Sequence, residues 1–318
     1  MRQEFIIGKK HNQLLLEIPE IINSGTMHHS FIIRGSYGIG KATLAIAIIK
    51  KLISLQIKDE KSSNKDINLI EKLSHPDLLY VSNLDGKNAI SVDQVRSISM
   101  FLSVPSSRLK NKFIIIDAID YLNDYAANAL LKNLEEAPSD CFFLLISHKQ
   151  SVIETINSRC IIYNLPDLTA EENALFLENK QIENKEEIKN IINTFNISFG
   201  LSLKMFDSGF YEIYKVLLAK ISGNNYDFDW KDLKIDNKLW LKILVNRVIK
   251  VICQSQSGKL NSDEENLLKS IKIDKKKITK LFNKQTEWGD LIIDGDVYNA
   301  NFNDLFLAIC ADIYNILN

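Results

Sequence analysis

Apolar positions follow two patterns along this chain. Over the first half, short continuous runs recur: Phe31–Ile33, Leu78–Val81, Phe113–Ile116, Phe142–Ile146 and Ile161–Tyr163. Runs without polar alternation mark strands buried on both faces, as in a parallel sheet. Stretches of helical spacing lie between them. Leu14, Leu15, Ile18, Ile21 and Ile22 predict an amphipathic helix ended by Ser24-Gly25, preceded by Ile6-Ile7-Gly8. Ser91 is an N-cap for a helix carrying Val95, Ile98 and Leu102, closed by Pro105. Ala127, Leu130, Leu131 and Leu134 recur at i, i+3, i+4 and i+7, and Pro138 stops that helix. The polar segment Gln56–Ser74 predicts an exposed loop or ragged helix. His75-Pro76-Asp77 and Asp85-Gly86-Lys87-Asn88 predict turns. Strands alternating with helices imply a parallel sheet covered on both sides, an α/β domain.

After Pro166 the strand pattern stops and helical periodicity takes over. It predicts a small helical unit over about Thr169–Asp207 and a larger one from Gly209, including Leu239–Cys253 and a final helix Leu305–Leu317. The expected division is an α/β domain over 1–165, a small helical lid over 166–208 and an all-helical domain over 209–318. Asp274–Lys284 is rich in lysine, which a solvated helix face explains. No internal repeat is visible.

One stretch carries candidate chemistry. Phe31–Ile33 leads into Gly35-Ser36-Tyr37-Gly38-Ile39-Gly40-Lys41, and Leu44, Ala47 and Ile48 follow on one helix face. A strand, a glycine-rich turn and a helix form a phosphate-binding P-loop: backbone N–H groups and a helix N-terminus surround the anion, and Lys41 adds a full charge. The match to GxxxxGK[ST] fails at one position. Ala42 stands where a hydroxyl ligates Mg²⁺, and Thr43, one residue later, points about 100° away. Asp117 ends an apolar strand, as a metal-directing acid does, but Ala118 follows it where a catalytic Glu is expected. Asp120 stands further on and is expected to point elsewhere.

Composition narrows the picture. The 318 residues suffice for two or three domains, and 46% hydrophobic content suffices for their cores. A formal net charge of −1 gives no global pull toward nucleic acid or anionic membrane. No apolar run approaches the ~20 residues of a membrane span, and the first residues lack a signal-peptide core. Cys141, Cys160, Cys253 and Cys310 are scattered without a CxxC pair, which argues for reduced thiols, a cytoplasmic location, and neither a disulfide framework nor a zinc site. His28, His29 and His75 read as turn or packing residues.

The stretch from Phe113 to Cys160 resembles the AAA+ clamp-loader family. Asn128-Ala129-Leu130-Leu131-Lys132-Asn133-Leu134-Glu135-Glu136 and Ser158-Arg159-Cys160 carry that resemblance. His28-His29-Ser30, His75-Pro76-Asp77 and Ile90-Ser91-Val92-Asp93-Gln94-Val95-Arg96 agree with it. It is close over residues 1 to 165, weaker over the small helical domain and architectural beyond. It implies that Gly35, Gly38, Gly40 and Lys41 form the phosphate loop, with Ala42 and Thr43 at the degenerate metal position. Asp117 corresponds to the metal-directing acid and Ser147 to the γ-phosphate sensor. Arg159 corresponds to an arginine finger offered to a neighbour's nucleotide. A second sensor, an Arg after a Gly, is expected within Ser198-Phe199-Gly200-Leu201-Ser202, where Ser202 stands instead. Many relatives carry a four-cysteine zinc module between the P-loop helix and the second strand; Gln56–Ser74 has no Cys, so no zinc is expected.

The resemblance implies a subunit of a hetero-pentamer with ATPase subunits of the tau/gamma type and a delta-type subunit, held by a helical collar. That complex loads a sliding clamp onto primed DNA. This chain is expected to act as a stator that donates Arg159 and does not hydrolyse ATP. ATP or ADP binding is expected to be weak, with Mg²⁺ only alongside nucleotide, and polymerase chemistry belongs to the holoenzyme. Two alternatives remain: an ATP-hydrolysing motor subunit of the same machine, against which Ala42 and Ala118 speak, and a DNA-binding AAA+ initiator or repair protein, against which the near-zero net charge speaks.

Overall fold

The computed structural model describes residues 8–25, 28–83, 89–148, 154–179, 184–223, 238–253, 260–297 and 302–317. Ile6, Ile7 and the turn expected at Asp85–Asn88 lie outside these. The chain divides into two compact units, Met1–Gln181 and Ile182–Asn318.

The first unit is a five-stranded sheet wrapped by helices. Its elements are α1 (Lys9–Asn23), β1 (Ser30–Arg34), α2 (Lys41–Gln56), α3 (Glu60–Glu71), β2 (Leu78–Ser82), α4 (Val92–Ser103), β3 (Lys112–Asp117), α5 (Asp124–Glu135), β4 (Cys141–Ser147), α6 (Glu154–Asn157), β5 (Ile161–Asn164) and α7 (Ala170–Asn179). The strand order is β2-β3-β4-β1-β5, and every pairing is parallel. Side-chain alternation feeds two cores. Phe31, Ile33, Phe113, Ile115, Leu144 and Ile146 pack with α1 and α2 on one face. Ile32, Ile114, Ile116, Phe143 and Leu145 pack with α4 and α5 on the other. Each fully buried Leu, Ile or Phe contributes about 1.5–3 kcal/mol, so continuous apolar strands are what a two-sided sheet requires.

Of the two readings of Gln56–Ser74, exposed loop or ragged helix, the structure holds the helical one. The segment contains a regular twelve-residue helix, α3, whose N-cap Asp59 accepts from Ser62 N at 2.9 Å. Only Ser63, Asp66 and Ile70 of this helix are buried. So narrow a buried stripe leaves a composition that reads as loop.

The second unit is helical: α8 (Lys185–Phe195), α9 (Phe199–Asp207), α10 (Phe210–Ile221), α11 (Lys238–Ile252), α12 (Ser262–Ser270), α13 (Lys275–Val297) and α14 (Phe302–Leu317). α10 is the central element; Phe210, Ile213, Tyr214, Val216, Leu217, Leu218 and Ile221 are all buried, around most of its circumference. Ser202 is buried in α9, and its hydroxyl donates to Phe199 O at 2.7 Å. Among the described residues, no helix is long and apolar enough to cross a membrane.

Candidate functional site

β1 lies between β4 and β5, so the loop leaving its carboxyl end sits beside the ends of both neighbours. Gly35 follows β1 directly. A Cβ there would stand 2.6 Å from Leu165 O and 2.6 Å from Ile39 Cδ1, so only glycine lets the loop approach the segment after β5. Gly40 is the N-cap of α2 at φ 89°, a left-handed conformation that Gly tolerates. Gly38 completes the turn between them.

Lys41 starts α2 and is 3% exposed. Its Nζ donates to Gly35 O and Ser36 O, each at 2.6 Å. Burial pulls its pKa down to about 8, against the upward pull of Asp117, Asp120 and Asp167. The ammonium that would meet a phosphate is thus turned onto the loop's own carbonyls. Ala42 is half-buried against the core, whereas Thr43 is exposed.

Asp117 ends β3, where its Oδ2 accepts from the Tyr80 hydroxyl at 2.6 Å and its Oδ1 lies 3.9 Å from His148 Nε2. Burial first, then this carboxylate, raise the Tyr80 pKa and keep the phenol protonated as the donor. Ala118 is fully buried. Asp120 does not point away from the site as expected. Its carboxylate accepts from Ser147 Oγ at 3.0 Å and from His148 N at 2.5 Å. A 3-10 turn at Ile119–Tyr121 swings it back over the end of β4. The Ser147 hydroxyl is therefore directed at Asp120.

A cavity of about 520 Å³ adjoins the loop, lined by Arg34, Ser36, His148, Asn164 and Asp167 among others. Among the described residues, no group of three or more His, Cys, Asp or Glu side chains is placed to hold a metal ion.

Residues 10–169, half of the chain, match the family model described as DNA polymerase III, delta subunit. This chain belongs to that family. DNA polymerase III subunit delta' of Haemophilus influenzae is 31% identical over 210 residues, covering 64% of this chain and 63% of that protein. The chain thus spans just under two thirds of that relative. The delta' subunit of Buchnera aphidicola subsp. Baizongia pistaciae is 29% identical over 264 residues, covering 77% of this chain and 74% of that protein. In fold, the chain is similar to a DNA polymerase III gamma subunit-related protein of Thermotoga maritima: TM-score 0.52, 17% identity, covering 95% of this chain and 98% of that one. The α/β domain with a helical C-terminal part is the architecture expected of such a family member.

The remaining candidate of this delta'-like chain, Arg159, stands apart from the P-loop residues. It follows α6 with its side chain 37% exposed. Its Nε donates to Glu135 Oε1 at 2.8 Å, Nη2 pairs with the same oxygen, and Nη1 donates to Thr155 O at 2.8 Å. The guanidinium is thereby anchored at the end of α5.

Two participants at the loop were not singled out from sequence. His11 Nε2 lies 2.8 Å from Ile39 O, tying α1 to the P-loop. Burial lowers the His11 pKa, which favours the neutral ring with Nε2–H as donor. Its signal was readable: His11 falls in the apolar row of Leu14, Ile18 and Ile22, where a polar ring needs a partner. Tyr80 carried no local signal, because its partner Asp117 comes from the neighbouring strand.

Proposed function

We propose that this chain is the delta' stator of a clamp-loader complex, a non-hydrolysing subunit that presents Arg159 to the nucleotide of an adjoining ATPase subunit. One observation carries the non-hydrolysing half of this reading: Lys41 is bonded to Gly35 O and Ser36 O. A phosphate has to displace both bonds, with no hydroxyl at position 42 and no carboxylate at position 118 to hold or activate anything there. Asp120, the acid that follows Asp117 by three residues, is engaged by Ser147 and His148. ATP or ADP is then held weakly if at all, and Mg²⁺ enters only with nucleotide. The delta' names of the relatives support the assignment to the clamp loader.

The partners in this reading are tau/gamma-type ATPase subunits and a delta-type subunit in a pentamer, and through them the sliding clamp and primed DNA in the cytoplasm. Residues 1–165 serve as the AAA+ domain, 166–208 as the lid and 209–318 as the collar. An arginine that stabilises phosphoryl-transfer charge is worth about 10³–10⁵ in rate, or roughly 4–7 kcal/mol. Lys does not replace it, because only the guanidinium offers a planar fork to two phosphate oxygens. In a reconstituted complex with clamp and primed DNA, Arg159→Ala is expected to leave assembly intact and cut ATP turnover at the adjoining site at least tenfold, with the isolated chain as a flat blank. Turnover by the isolated chain refutes the non-hydrolysing half, and loss of assembly assigns Arg159 a structural role through Glu135.

A further inference from the structure

Arg159 is held by its own chain on every edge. Nε donates to Glu135 Oε1 at 2.8 Å, and Nη2 bonds the same oxygen. Nη1 donates to Thr155 O at 2.8 Å and to Ser158 Oγ at 3.2 Å. Four of the five N–H groups of the guanidinium thus have partners. A fork onto two phosphate oxygens needs two parallel N–H groups from one edge. The Nε/Nη2 edge is spent on Glu135, and the Nη1/Nη2 edge is spent in part on Thr155 and Ser158. A neighbour's phosphate therefore meets a finger whose donors have first to be released.

The backbone at this point is fixed, so release is a rotation of the side chain. Arg159 N donates to Ile156 O at 3.1 Å and Cys160 N to Asn157 O at 3.3 Å. Ile156 is fully buried, and Arg34 Nη2, at the end of β1, donates to Asn157 Oδ1 at 2.9 Å. Thr155 and Ser158 belong to the same turn as Arg159. Glu135 comes from another element, 24 residues away, and is charged. Its position does not serve α5. It is the last residue of that helix, where the dipole disfavours a carboxylate, and Glu136 follows it. The two side chains are 37% and 52% exposed, and a pair so placed shifts an equilibrium by no more than about fivefold. That is enough to hold a side chain and too little to block it.

We propose that Glu135 is a positioning residue that sheathes Arg159. The guanidinium reaches a neighbour's nucleotide only by exchanging the Glu135 carboxylate for phosphate oxygens. The inference rests on Arg159 being the finger and adds the regulation of that finger. One edge of the guanidinium cannot serve the carboxylate and a phosphate together, and the two anions repel each other. A terminal phosphate seated at the interface competes for the edge and draws it out. The wild-type complex loses the ion pair each time the finger engages, so Glu135 lowers the rate at which ATP is captured and cleaved. Without Glu135 the finger is free before the nucleotide arrives.

The test is ATP turnover of the reconstituted complex against ATP concentration, with gel filtration to confirm that every variant assembles. The part of turnover that Arg159→Ala removes is the part this chain governs. Glu135→Ala should raise kcat/KM for that part about threefold to fivefold. Glu135→Gln keeps an acceptor but loses the charge, and should give a smaller rise. In the Arg159→Ala background Glu135→Ala should change nothing, because the effect passes through the guanidinium. A residue that merely supported the fold or aligned the finger would lower turnover when removed, so the direction of the change decides. Turnover of Glu135→Ala at or below wild type, while Arg159→Ala cuts it, overturns the sheath and leaves the finger standing. A rise that persists in the Arg159→Ala background also overturns it, since Glu135 then acts on something else. Arg159→Ala without effect overturns the finger reading and the sheath with it.

Discussion

Lys41 shows how far a residue's chemistry depends on what surrounds it. The Gly-x-Gly-Lys spacing places an ammonium at a helix N-terminus, and that much is local. Its engagement by Gly35 O and Ser36 O depends on the loop being pressed against the segment after β5, at Leu165. Burial lowers the Lys41 pKa from 10.5 to about 8. Between those values the unfolded chain binds more protons than the folded one, so this group makes stability rise with pH across that window and contributes no pH dependence below it. Urea unfolding of wild type and Lys41→Met at a series of pH values should therefore show their stability difference shifting toward wild type from pH 8 to about 10.5. A flat difference refutes the buried-ammonium description. That position 42 carries no hydroxyl and position 118 no carboxylate was legible from sequence alone, because a missing functional group needs no tertiary partner to be missing. The fate of Asp120 was not legible, since its acceptors' partners, Ser147 and His148, come from another strand.

At the scale of elements, most boundaries followed from local signals. Ser91 and Gln94 form the capping box of α4, and Asn123 caps α5 by accepting from Ala126 N at 2.9 Å. The turn His75-Pro76-Asp77 was visible, but its task was not. The Asp77 carboxylate accepts from the backbone N–H groups of Ser107, Arg108 and Leu109 at 2.6–2.8 Å, fixing the loop before β3. His75 is buried beside it with Nε2 3.5 Å from Asp66 of α3, which also pairs with Arg108. Three elements therefore meet at one turn. Asp77→Ala removes the acceptor of all three N–H groups and should destabilise the first unit by about 3 kcal/mol or more. Urea unfolding followed by circular dichroism measures this, and a loss near zero means that water replaces the carboxylate. α3 escaped a firm assignment because a helix with one narrow buried stripe has little apolar periodicity to read.

Across the molecule, each unit has its own core, and the second has a charged group within it. Glu264 is fully buried; its Oε1 accepts from Tyr214 Oη at 2.6 Å and Arg247 Nε at 2.7 Å, and its Oε2 from Arg247 Nη2 at 2.9 Å. The same side chain closes the capping box of α12 with Asn261. Arg247→Met leaves that carboxylate uncompensated and should destabilise the unit by about 3–5 kcal/mol. Trp288, buried in the same core, makes fluorescence-monitored urea unfolding the suitable measurement, and an unchanged midpoint contradicts the network's importance. The sequence by itself determined the alternation of strands and helices, the change to helix after Pro166, and the lack of a hydroxyl at position 42 and of a carboxylate at position 118. These rest on side-chain period, on caps and on which functional groups are present, all of which are local. Only the tertiary structure decided that Lys41 faces its own loop, that His11 braces Ile39, that Asp120 returns to β4, and that Arg247 and Glu264 meet. Each of those pairs joins residues distant in sequence or aimed by a turn, so its energy exists only once strand order and burial have brought the partners together.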